Sequence, residues 1–154
     1  MASPEQRLEE LGITLPQPVQ PMAAYVPTVR SGDMVYVSGQ VPMVDGKPAY
    51  LGRLGADGLS AEDGAKAARV CAINVLTALK AELGDLSRVR RVVKVTGFVA
   101  SAPDFHDQPK VVNGASELLV EVFGDAGRHA RSAVGLAALP LGVPVEVEAI
   151  VEAP

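Results

Sequence analysis

From Ala130 to Glu152 the chain alternates in character from residue to residue. Ser132, Val134, Leu136 and Ala138 share one parity, and Arg131, Ala133, Gly135 and Ala137 share the other. Beyond Leu139–Pro144, Val145, Val147, Ala149 and Val151 alternate with Glu146, Glu148, Ile150 and Glu152. A period of two predicts two strands whose successive side chains leave opposite faces. If both lie in one sheet whose apolar side is covered by helices, Arg131 and Glu148 are expected together on the opposite side.

Upstream the period lengthens. Ala68, Cys71, Val75, Leu76, Leu79 and Leu83 form a helical stripe, opened by Ser60 with Asp63 at the capping-box position and closed by Gly84. Val112, Leu119, Val122 and Phe123 predict a second helix from about Gln108 or Pro109 to Phe123, ended by Gly124. Between them the valine-rich run Val89–Val99 reads as a long strand. Nearer the start, Tyr25–Arg30, Ser31-Gly32-Asp33 and Met34–Ser38 read as strand, tight turn and strand. Val44-Asp45-Gly46-Lys47 is a further turn, with a short strand expected over Pro48–Leu54. Ser3-Pro4-Glu5-Gln6 begins a short helix stopped by Gly12, and the three prolines from Leu15 to Pro21 make an extended lead-in. The order of elements predicts an α+β fold in which two helices cover one face of a mixed sheet. The partition expected is an N-terminal helix and lead-in over 1–20 and a single domain over 21–154.

Composition narrows the functions. The 154 residues suit one domain with a real core. A formal net charge of −4 disfavours nucleic acid, because binding it depends on neutralising phosphates. The basic cluster Arg88–Arg91 with Lys94 is interleaved with valines and reads as strand ends reaching solvent. The single cysteine, Cys71, lies on the apolar stripe and is expected to be a small core residue. No run approaches a membrane span and the start carries no apolar signal core, so a soluble cytoplasmic protein is expected. His106 and His129 have no second ligand at zinc-binding spacing, so no metal site is expected. His129 stands two residues before Arg131, either tuning a pocket there or lying on a surface loop.

The chemistry concentrates at Arg131 and Glu148. A guanidinium flanked by Ala133 and Gly135 has room to grip a carboxylate through two parallel hydrogen bonds, and a glutamate beside it would position or deprotonate a water. On the residues alone, the alternative is a strand face of solvated charges.

The segment Ala130-Arg131-Ser132, the strand running to Leu139-Pro140 and the strand Val145-Glu146-Val147-Glu148-Ala149-Ile150 together resemble the closing signature of the Rid (YjgF-type) family of enamine/imine deaminases, also labelled endoribonuclease L-PSP. The resemblance extends from about Pro21 onward and is closest to a slightly longer subgroup. It implies a bacterial chorismate mutase-like fold, with the Val89–Val99 strand between the two closing strands. It also implies a homotrimer with clefts between subunits, and hydrolysis of 2-aminoacrylate-type enamines and imines to 2-oxo acids and ammonia without a cofactor. Carried onto this chain, Arg131 would clamp the substrate carboxylate, Glu148 would activate water, and Tyr25 would wall the cleft. Ser38 and Gly39 of Ser38-Gly39-Gln40, Asn113 and the backbone of Ala133 would complete substrate binding. Three departures stand out. Ala133 replaces the family's cysteine, the sequence around Tyr25 differs, and the segment before Asn113 is longer. A carboxylate-binding or regulatory protein without turnover is the second reading, and ribonuclease or translation inhibition a third.

Overall fold

The computed structural model describes residues 1–20 and 23–154. Helix α1 (Pro4–Glu10) starts with the expected capping box, in which Ser3 and Gln6 each satisfy the other's backbone N–H. Strands β1 (Thr28–Ser31) and β2 (Met34–Gln40) form the predicted hairpin, β1 starting three residues later than its sequence suggests. Next come the short strands β3 (Met43–Val44) and β4 (Lys47–Pro48), turned by Asp45 and Gly46, both at positive φ. The expected strand over Pro48–Leu54 reduces to β4 and an isolated bridge at Leu54. The long elements follow as α2 (Ala61–Leu83), β5 (Arg91–Ala100), α3 (Gln108–Phe123), β6 (Ala130–Leu136) and β7 (Val145–Glu152).

The five-stranded sheet runs β1-β2-β7-β5-β6. Only β5 and β6 are parallel, joined through α3, so the sheet is mixed and the class is α+β. The strand β5 separates β6 from β7, as the family resemblance implied and sequence adjacency did not. The stripe of α2 is buried as expected, and α3 buries Val111, Val112, Ala115, Leu118, Leu119 and Val122 against it and the sheet. The two helices approach closely where Gly64 of α2 meets Val111 and Gly114 of α3 meets the Ala65 carbonyl. The first helix is part of this core. Leu8 is buried, and the Glu5 carboxylate accepts the Leu86 backbone N–H at 2.7 Å and bonds Lys80 at 3.2 Å. The lead-in packs Leu15 on the core, while its last residue, Pro21, lies outside the described residues.

The register corrects one expectation. Val95 lies between Arg131 and Ala149, and Thr96 lies between Ser132 and Glu148. Side-by-side residues share a face, so Arg131 is on the helix-covered side and Glu148 is on the bare side. The alternation within each strand was read correctly, but the apolar parity of β6 was assigned to the wrong side. Val134 and Leu136 face the bare side, where they stay 41% and 37% exposed. Beneath the helices the edge strand instead carries small residues, because α3 leaves little depth there: Ala133 packs on the core and Gly135 lies against Gln108 and Ser101.

Candidate active site

Arg131 points under the N-terminal half of α3. Its Nη1 donates to Asn113 Oδ1 at 2.8 Å and to Ser116 Oγ at 3.2 Å, and its Nη2 donates to the Pro109 carbonyl at 3.3 Å. All three acceptors are neutral, and no ion pair among the described residues includes Arg131. The guanidinium is thus oriented without being neutralised, which suits it to an incoming anion.

The backbone beside it is also open. Leu136 turns its carbonyl inward, to Ser101 N–H at 2.9 Å, so the alternate residues Ala133 and Arg131 turn their peptide groups toward the free edge of β6. Asn113 and the outward-facing Ala133 backbone therefore lie beside Arg131. Two partners were not singled out as a pair in the sequence. Ser116 lies one turn beyond Asn113, and His129 has the same strand parity as Arg131, so an i, i+3 reading of the helix and an i, i+2 reading of the strand would have exposed them. Ser116 Oγ and His129 Nε2 are 2.8 Å apart, and His129 Nδ1 is 2.6 Å from the Gly127 carbonyl. His129 is a half-buried, doubly bonded ring rather than a surface loop residue. Burial, above all, and then the Arg131 charge push its pKa below the ordinary value, outweighing the contact with the Gly127 carbonyl.

The remaining expected residues lie elsewhere. Ser38 and Gly39 are on β2, three strands from β6, or roughly 14 Å at normal strand spacing. Ser38 Oγ donates to the Val26 carbonyl at 2.6 Å, and Tyr25 is 56% exposed in the segment leading to β1. The space above Gly39 is filled by the Glu146 carboxylate, so its missing side chain makes room for that glutamate rather than for a substrate. Glu148 is exposed on the same bare face of the sheet. The sheet thus separates two groups of candidate residues, Arg131 with Asn113 and Ala133 on the helix-covered side and Glu148 with the Gly39 region on the bare side.

Partial burial, and then the nearby Glu148 charge, push the Glu146 carboxyl pKa up. Folding therefore favours its protonated form, and the native state carries a penalty above the raised pKa that is relieved as the pH falls through it. Glu146→Gln is expected to raise the thermal midpoint at pH 7, the gap from the parent closing through the carboxylate range. A parent at least as stable as the variant at pH 7 would contradict this.

Beyond Gly135 a cavity of about 400 Å³ opens, lined by Arg53, Ser101, Phe105, His106, Gln108 and Leu136 among others. Part of its wall is the segment between β5 and α3. Cys71 is buried in α2 with its thiol 3.5 Å from the Val145 carbonyl, and burial pushes its pKa well up, which suits packing rather than nucleophilic chemistry. No group of three or more metal-ligating side chains is found among the described residues. No helix among them is long and apolar enough to cross a membrane.

Residues 5–151 match the family model described as "YjgF/chorismate_mutase-like, putative endoribonuclease". Protein TCP17 of Trypanosoma cruzi is 51% identical over 146 residues, covering 94% of this chain and 91% of that protein. The 2-iminobutanoate/2-iminopropanoate deaminase of Dermatophagoides farinae is 32% identical over 140 residues, covering 90% and 93%. Among solved structures, the protein Atu1372 with unknown function from Agrobacterium tumefaciens superposes with a TM-score of 0.91 at 51% identity, covering 98% of this chain and 93% of that one.

Proposed function

The chain belongs to the YjgF/chorismate mutase-like family, and on that premise we propose that it hydrolyses small enamines and imines bearing a carboxylate, of the 2-aminoacrylate type, to 2-oxo acids and ammonia. The observation that carries the proposal is the guanidinium of Arg131, held by three neutral acceptors with no carboxylate paired to it. The imine deaminase of Dermatophagoides farinae supplies the reaction class.

In this reading Arg131 grips the substrate carboxylate, and the outward peptide groups at Ala133 add polar contacts. After the enamine tautomerises, water adds to the imine carbon and passes a proton to Glu148. Glu148 hands that proton to the nitrogen to give the carbinolamine, whose C–N bond then breaks as its hydroxyl proton passes to the nitrogen through the same carboxylate, releasing ammonia and leaving the 2-oxo acid. Imines hydrolyse unaided, so positioning and charge stabilisation suffice. The Glu148 concerned belongs to a neighbouring copy, because within one copy the sheet lies between Glu148 and Arg131.

A homotrimer whose bare sheet faces meet would bring the half-sites together, with Tyr25, Ser38 and Gly39 on the glutamate side. That face is apolar enough to seek cover, exposing Val29, Tyr36, Val134 and Leu136. Mixing inactive Arg131→Ala and Glu148→Gln subunits tests the arrangement directly. Random reassembly leaves about a quarter of the clefts with both parent residues, so ammonia release from a freshly generated enamine should recover to about that fraction. A mixture as inactive as its parts would show that the two residues do not share a cleft across copies.

The separation of Arg131 from Glu148 within a copy also favours a second reading, a carboxylate-binding protein without turnover. Saturable binding of a 2-oxo acid with no accelerated ammonia release from the parent protein would select it.

A further inference from the structure

The Ser116 and His129 contacts have a definite donor order. A carbonyl only accepts, so the Gly127 oxygen, 2.6 Å from Nδ1, places the ring proton on Nδ1. In the neutral ring Nε2 is then an acceptor, and the hydrogen on Ser116 Oγ, 2.8 Å away, points to it. The hydroxyl's lone pairs are left for Arg131 Nη1, which donates at 3.2 Å. A chain of bonds therefore runs from the guanidinium through Ser116 to His129 and ends on the backbone turn at Gly127.

We infer that Ser116 and His129 are positioning residues for Arg131 and couple anion binding at its guanidinium to protonation of the His129 ring. The inference rests on Arg131 being the carboxylate site. The surroundings isolate this coupling. Arg131, on the strand that follows the ring, is the charge that acts on His129. On the adjoining turn, Asp125 is fully exposed and pairs with Arg128. On α3, Glu121 pairs with Arg69 and Glu117 is exposed, while Lys94 of β5 stands beside Ala130 on the other face of the sheet.

Two effects share one sign. A carboxylate on Arg131 offsets the guanidinium field that disfavours the imidazolium, so it promotes proton uptake by the ring. A protonated ring donates from Nε2 to Ser116 Oγ, releasing the hydroxyl hydrogen to turn toward the anion. By reciprocity, anion affinity rises as the pH falls through the His129 pKa.

The test uses pyruvate as probe and nitrogen-resolved NMR of the His129 ring. The free protein should show the Nδ1–H tautomer, and saturating pyruvate should move the ring's titration to higher pH. Pyruvate should bind about three- to tenfold more tightly at pH 5.5 than at pH 8. His129→Asn should flatten that dependence, Ser116→Ala should weaken binding about three- to tenfold, and Ser116→Thr should restore it. If Arg131→Ala abolishes binding while pyruvate leaves the ring's titration unmoved, the coupling is wrong and the carboxylate site stands. If Arg131→Ala binds pyruvate as the parent does, the site itself is wrong and the coupling falls with it. The ring measurement on the parent protein decides the matter even if a variant fails to fold.

Discussion

Arg131→Ala is expected to lower kcat/KM for the proposed enamine hydrolysis by about a hundred- to ten-thousandfold while leaving the thermal midpoint nearly unchanged. The loss is large because a carboxylate on a guanidinium makes two charge-assisted hydrogen bonds, each contributing about 1.5–3 kcal/mol, and alanine removes both. Stability is spared because Arg131 is only half-buried and its acceptors are not left stranded: Asn113 is exposed and Pro109 and Ser116 lie near the surface. Arg131→Lys should recover little, since an ammonium is a point charge that cannot present the planar fork. Ammonia release and thermal unfolding followed by circular dichroism read the two quantities separately. An alanine variant with parental turnover would remove the clamp, and one that unfolds would make Arg131 a structural residue.

Gly114→Ala should be the most damaging small change to the fold. A methyl at that position would fall on the backbone of Ala65 at the crossing of α2 and α3, and a carbonyl in a helix cannot swing aside as a side chain does. Overpacking costs about 1–3 kcal/mol and occasionally more, and contact with backbone belongs at the upper end. The better helix propensity of alanine offsets about 1 kcal/mol. A net loss of about 2 kcal/mol corresponds to a fall of roughly 4–8 °C in Tm at this chain length. Because α3 also carries Asn113 and Ser116, separating the helices should loosen Arg131 as well, weakening 2-oxo acid binding before the protein melts. An unchanged or raised Tm would mean that the helices do not approach as closely as described.

Much of this architecture is written in the chain. The stripe from Ala68 to Leu83 specifies one buried helix face, and Ser60 and Gly84 mark its ends; the structure follows all of it. The Asp45-Gly46 turn and the strands either side of Ser31-Gly32-Asp33 were equally legible, since they depend on local backbone conformation. Arg131 was legible in the alternation of its strand, Asn113 and Ala133 came through the family resemblance, and the structure places Asn113 within hydrogen-bonding distance of Arg131.

Other features are not local. Hydrophobic alternation tells that a strand has two faces but not which face meets the helices, and on an edge strand both sides can be apolar. The bare face holds Val134 and Leu136, while the covered face of β6 holds Ala133, Gly135 and a tethered arginine. Nor does alternation show that β5 inserts between β6 and β7, in a register that leaves Arg131 and Glu148 on opposite faces of the sheet. By itself the sequence determined the elements, their caps and turns, the buried stripes and the candidate residues, because each depends on neighbours a few positions away. Strand order, the side from which Arg131 projects, and the chain from Ser116 through His129 to Gly127 were decided only by the tertiary structure. They depend on which distant segments lie side by side, and packing settles that after every local preference has been met.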